Sequence, residues 1–314
     1  MKYLRIVLAC LLLSLTATWA MADTLTGGIF TVDFHSDDRI VAEDTLAYLE
    51  EAAAEFSEHL PPGDTPIQVR IASNMNEFLG LSGTYAHVGV SGVTRADKSL
   101  IALKSPRLRS LGDDYRGTVR HELVHVLLHR NVDTTNLPRW LNEGLCMMLA
   151  NELRWGSALQ VARMHLSGQL VPLDRLDRVF ALPGNDHQFG NAYAQALSMT
   201  RYLRDELGEE RFWNVILDTR EESFASAMVS KGNLSAQAFW QGYMGSLWWL
   251  TVISVLRTGS FWGAISFLCI LTFLVKHWRN RKIVQRWESE EAMDEEDRPF
   301  DWDSILVDAD DWKR

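Results

Sequence analysis

Residues 120–130 read RHELVHVLLHR. Apolar Val119, Leu123, Val126 and Leu127 are interleaved with His121, Glu122, His125 and His129 at helical spacing. A fold buries a helix with such apolar flanks, and burying two imidazoles and a carboxylate without partners is costly. The chain must therefore fold so that these groups are satisfied, and a metal ion is the economical partner. At i and i+4 the two imidazoles stand one above the other on one face, where both reach an ion at about 2.0–2.1 Å. Glu122, beside the first of them, projects where a water would lie and can take its proton as general base.

A catalytic zinc takes a third protein ligand and keeps a fourth position open. His129 is the nearest histidine, but on a continuous helix it stands two turns from His121, about 12 Å away. Leu128 occupies the position where a glycine would break the helix and bring a third histidine round. Glu143 is the better choice. It follows His125 by 18 residues, beyond a turn, NVDTTNLPRW, that folds a second helix back on the first. Pro138 suits the first turn of that helix, and the small Gly144 allows close helix approach. Gly144 to Met147 include no acid to orient a ligand histidine.

The ends of the chain predict a placement. MKYLRIVLACLLLSLTATWAMAD has the pattern of a signal peptide over residues 1–22, with cleavage after Ala22. Thr258 to Val275 is an uninterrupted apolar run of 18 residues, about 27 Å as a helix, followed at once by Lys276, Arg279, Arg281 and Lys282. It predicts one transmembrane helix with its C-terminal side cytoplasmic. Leu247–Leu256, cut off by Arg257, reads as an interfacial segment before it. The expected organisation is an exported domain over 23–243, an interfacial and membrane segment over 244–276, and a cytoplasmic tail over 277–314. That makes a single-pass membrane protein whose catalytic domain is extracytoplasmic, with the lipid bilayer as one partner.

The net charge of −10 is concentrated in the tail. From Trp287 onward there are 12 Asp/Glu against 3 Lys/Arg, so the rest, with 29 acidic and 28 basic residues, is close to neutral. No basic face invites nucleic acid. The tail is expected to be disordered, with solvation as its first reading and a docking peptide for a cytoplasmic partner as its second. Cys10, Cys146 and Cys269 are too scattered for a disulfide framework or a paired-cysteine metal site.

GGIFTVDFHS and IQVRIAS alternate as strands, and VGVSGVTRADKSLIALKS reads as one or two more. SLIALKS reads either as an edge strand that pairs an extended substrate or as a strand of the core. RIVAEDTLAYLEEAAAEFSEHL is helical until PPGD stops it, NMNEFLGL is a short helix, and from Asp113 the pattern is nearly all helical. Strands first and helices after predict an α+β fold with a mixed N-terminal sheet, an active-site helix and C-terminal helices.

HELVH followed by LPRWLNEGL resembles the gluzincins, and more closely the peptidase MA-like domains of exported, membrane-anchored bacterial proteins. YAQALSMTRYLRDELGEERFWNVI is similar to that group's helical segment, so the resemblance covers roughly residues 67–240. It implies a zincin-like fold, one Zn2+ per chain on His121, His125 and Glu143, Glu122 as catalytic base, and hydrolysis of a peptide or protein substrate. Tyr193 in NAYAQAL matches a tyrosine of the pattern and is the implied oxyanion donor, with His187 in NDHQFG as an alternative. The competing expectation is a catalytically silent zinc-binding module that serves as an envelope assembly factor or sensor.

Overall fold

Alternating side chains build the first third of the chain into a sheet. Phe30, Val32 and Phe34 are buried along one strand and Ile67, Val69 and Ile71 along another, with half-buried Thr31, Asp33, Gln68 and Arg70 between them. The computed structural model describes residues 23–83, 90–109, 113–151, 157–181, 186–257 and 260–296. The signal-peptide expectation and the last part of the acidic tail lie outside the described residues.

Strands β1 (Asp23–Gly27), β2 (Phe30–Phe34), β3 (Ile67–Ala72), β4 (Gly92–Arg95) and β5 (Leu100–Lys104) stand in the order β1-β2-β3-β5-β4. β2, β3 and β5 run parallel, and β1 and β4 pair antiparallel at the two edges, so the sheet is mixed. β1 carries almost no buried side chains, which is why its alternation was not legible as a strand. SLIALKS is not an edge. It forms β5, an interior strand with four of its five residues buried, and β4 is the edge beside it.

Helix α1 (Arg39–Phe56) links β2 to its parallel neighbour β3 and packs with α3 (Tyr115–Asn131) on the apolar face of the sheet. The short α2 (Met75–Ser82) covers part of the other face through Phe78 on Ala72 and Ala102. Beyond α3 the chain is helical: α4 (Arg139–Leu149), α5 (Ser157–Leu166), α6 (Leu173–Ala181), α7 (Asp186–Leu207), α8 (Glu209–Asp218), α9 (Phe224–Ser230), α10 (Ala236–Arg257) and α11 (Ser260–Glu296). One core connects the sheet, α3, α4, α7 and α8.

The chain divides into two compact units, Met1–Thr251 and Val252–Arg314. In the first, α10 contributes Phe239, Tyr243 and Leu247 to the core while Trp248 and Trp249 are exposed. The stretch expected to be an interfacial segment therefore begins as part of a core helix. In the second, α11 continues to Glu296, so the start of the acidic tail is helical rather than disordered.

The transmembrane expectation is corrected. Among the described residues no helix is long and apolar enough to cross a membrane. α11 begins at Ser260, so its apolar part, which ends at Val275, is 16 residues long. That is about 24 Å of helix against a hydrocarbon core of about 30 Å. The expected run of 18 counts Thr258 and Gly259, which lie outside the described residues, and the same helix goes straight on into Lys276, Arg279, Arg281 and Lys282. The single-pass placement and the bilayer as a partner lose the spanning helix on which they rested.

Candidate metal centre

Two helices and one strand build the centre. α3 starts at Asp114, whose Oδ1 accepts the Gly117 N–H at 2.9 Å. Asp113, one residue earlier, faces Arg109 Nε at 3.5 Å instead. Val119, Leu123, Val124, Val126, Leu127 and Leu128 are buried, leaving the strip that carries His121 and His125 half-open. The two imidazoles are 5.0 Å apart between centroids and inclined at 68°. His129, two turns along, is exposed.

α4 begins after Pro138 and is anchored at its start by the Trp140 N–H, which donates to Asp177 Oδ1 at 3.1 Å. This brings Glu143 over the histidines: its Oε2 lies 3.5 Å from His121 Nε2 and 3.8 Å from His125 Nε2. Burial pushes the Glu143 carboxyl up, but His125, His121 and Arg139 outweigh it and hold the group below its ordinary range. A tetrahedral ion with bonds of about 2.05 Å separates its ligands by about 3.3 Å, close to the spacing these atoms already have.

On the other side of the same imidazole, His125 Nδ1 lies 2.8 Å from Asn142 Oδ1. An amide oxygen can only accept, so Nδ1 carries the proton and the lone pair is left on Nε2, toward Glu143 and His121. Cys146, one turn after Asn142 and buried, places Sγ 3.3 Å from Nδ1 and 3.7 Å from Asn142 Oδ1. Ligand atoms of His121, His125 and Cys146 all lie within 4.8 Å of one another, and this cluster could hold a metal ion. The sequence reading missed Asn142 and Cys146 as members of the centre. Their signal is the i, i+4 spacing, which sets them on one face of α4.

Glu122 points from α3 to the edge strand. It is 7% exposed, and Thr94 Oγ1 donates to its Oε2 at 2.7 Å. Gly92, two residues earlier on β4, leaves the space the carboxylate fills: a Cβ there would stand 2.7 Å from Glu122 Cγ and 2.8 Å from Oε1. Nothing in the sequence pattern points to Thr94 or Gly92, because only the sheet brings them to α3.

Gly144 does permit a close approach, but with α7 and not α3. A Cβ on it would collide with Thr200 Oγ1 and stand 2.8 Å from the Ala196 carbonyl oxygen. Tyr193 is on α7, half-buried, with its ring edge-on to Phe180 at 5.2 Å. It shares the face of α7 that carries Ala196 and Thr200, at i, i+3 and i+7. The side chain of His187 lies outside the described residues. No protein-family model matches the chain, and no curated protein matches it either.

Proposed function

We propose that this chain is a zinc-dependent peptide hydrolase whose ligands are His121, His125 and Glu143. The observation that carries the reading is the convergence of one Glu143 oxygen on the Nε2 atoms of both histidines, at 3.5 and 3.8 Å. The donor set, two imidazoles and a carboxylate, is one that suits a catalytic zinc with an open position. Such an ion supplies Lewis acidity toward a peptide carbonyl and makes a nearby water easier to deprotonate.

The rest is the work of the chain. Asn142 holds His125 in the tautomer that keeps Nε2 basic. Thr94 holds Oε2 of Glu122, while Oε1 accepts no hydrogen bond among the described residues and is free to take a proton from water and pass it to the leaving amine. Tyr193 is the proposed donor to the developing oxyanion, on the side of α7 that faces α4. A zinc module without turnover is the second reading, favoured by the packing of Glu122 against Gly92, which gives that carboxylate a structural role as well.

The test is metal analysis of the purified chain combined with profiling on a broad peptide library. One zinc per chain and hydrolysis that falls by about 10²–10⁴-fold in Glu122→Gln, with the metal retained, is the expected result. Failure of the wild-type chain to bind zinc, or undiminished turnover by Glu122→Gln, would overturn the reading. Zinc at full occupancy without turnover of any peptide would select the second.

A further inference from the structure

Cys146 is a donor that the proposed reaction leaves unused. It is fully buried, which alone would make it a small apolar residue of the core, yet its sulfur faces a polar atom, His125 Nδ1, at 3.3 Å. Glu143 faces the same imidazole from the Nε2 side. His125 therefore stands between two alternative third donors, a hard carboxylate and a soft thiol, and His121 is within reach of both.

We propose that the centre has two binding modes: zinc on His121, His125 and Glu143, and thiophilic d10 ions such as cadmium on His121, His125 and Cys146. The inference rests on the metal reading above. Thiolates select soft ions, and carboxylates do not discriminate in their favour. A tetrahedral ion with bonds of about 2.05 Å to nitrogen and 2.3 Å to sulfur separates those donors by about 3.5 Å. Sγ and Nδ1 are already at 3.3 Å, and the cluster as a whole, within 4.8 Å, closes on an ion by about an ångström of side-chain rotation.

The proton balance follows from the hydrogen bonds. Cys146 gives its thiol proton to solvent as the sulfur–metal bond forms. The imidazole proton moves from Nδ1, where Asn142 held it, to Nε2, where it faces Glu143 Oε2. One proton leaves per ion bound, and the ion sits on the opposite side of His125 from Glu143. The thiophilic mode thus dismantles the hydrolytic set, and such ions inhibit by displacement rather than by blocking the open position.

The experiment uses the full chain stripped of metal and titrated separately with Cd2+ and Zn2+, following the thiolate-to-metal charge-transfer absorption. Cadmium is expected to raise that band at one equivalent. Cys146→Ser should abolish it and weaken cadmium binding by at least about tenfold more than it weakens zinc binding. Glu143→Gln should do the reverse, weakening zinc and keeping the cadmium band. Because Cys146 is buried, Cys146→Ala with unchanged circular dichroism replaces the serine variant where serine disturbs packing. Cadmium binding without the band, or a band that survives in the Cys146 variants, overturns the two-mode proposal while leaving the zinc reading intact. A chain that binds neither ion overturns both.

Discussion

Gly92 lacks a side chain at the one place on β4 where Glu122 needs the room. A Cβ there would stand within 3.0 Å of three atoms of that side chain, so it must shift. Gly92→Ala is therefore expected to lower kcat for peptide hydrolysis by roughly ten- to a hundredfold through a misplaced base, with zinc stoichiometry unchanged by metal analysis. Asn142 acts one bond further out, on the tautomer of His125. Asn142→Ala should weaken zinc by about 10–100-fold in a competition titration, with the fold retained. Tyr193→Phe separates the two roles that residue could have: a lost oxyanion donor lowers kcat by about 10²-fold with little change in KM, whereas a packing residue, with its ring kept on Phe180, leaves both unchanged.

Helix α4 is positioned from both ends and from behind. Asp177 accepts the Trp140 N–H in its first turn, and Arg120 of α3 donates to the Leu149 carbonyl at its far end at 3.1 Å. Gly144 lets α7 lie directly against its back. Gly144→Ala inserts a methyl group where only backbone and a threonine hydroxyl fit, so urea unfolding should show a loss of about 1–3 kcal/mol. The ligand carboxylate next to it would move as well, coupling stability to zinc affinity. At the start of α3 the lever is smaller: Asp114→Ala removes the cap and is expected to cost about 0.5–2 kcal/mol in the same assay.

Across the whole chain, the candidate metal centre ties the sheet half to the helical half, since the donors proposed for it come from α3 and α4 and the carboxylate proposed as base rests on β4. Ligand binding to the folded state alone should therefore stabilise the entire first unit. At free zinc a hundred times its Kd the gain is about 2.7 kcal/mol, and a chelator should lower Tm accordingly in a thermal melt followed by circular dichroism. Among the described side chains of α10, Thr251 is the last that is buried, and the second unit adds no described donor to the centre. A chain ending at Arg257 is expected to bind zinc as the full chain does.

Local pattern sufficed where the physics was local. The spacing of His121, Glu122 and His125, the apolar flanks of their helix, the Pro138 start of α4 and the rejection of His129 all follow from residues a few positions apart, because helix periodicity alone sets which side chains share a face. The membrane helix failed for a related reason: a run of apolar residues counts sequence, whereas spanning depends on where the helix begins, and α11 begins at Ser260. No pattern pairs the site residues with their partners on other elements. Thr94 and Gly92 meet Glu122 from 28 and 30 positions away because β4 is the edge of the sheet, and Cys146 meets His125 because two helices fold together. Sequence by itself determined which side chains share one face of a helix. The tertiary structure alone decided which of them face one another, because packing across the chain, and not spacing along it, chooses which side of His125 meets the carboxylate and which meets the thiol.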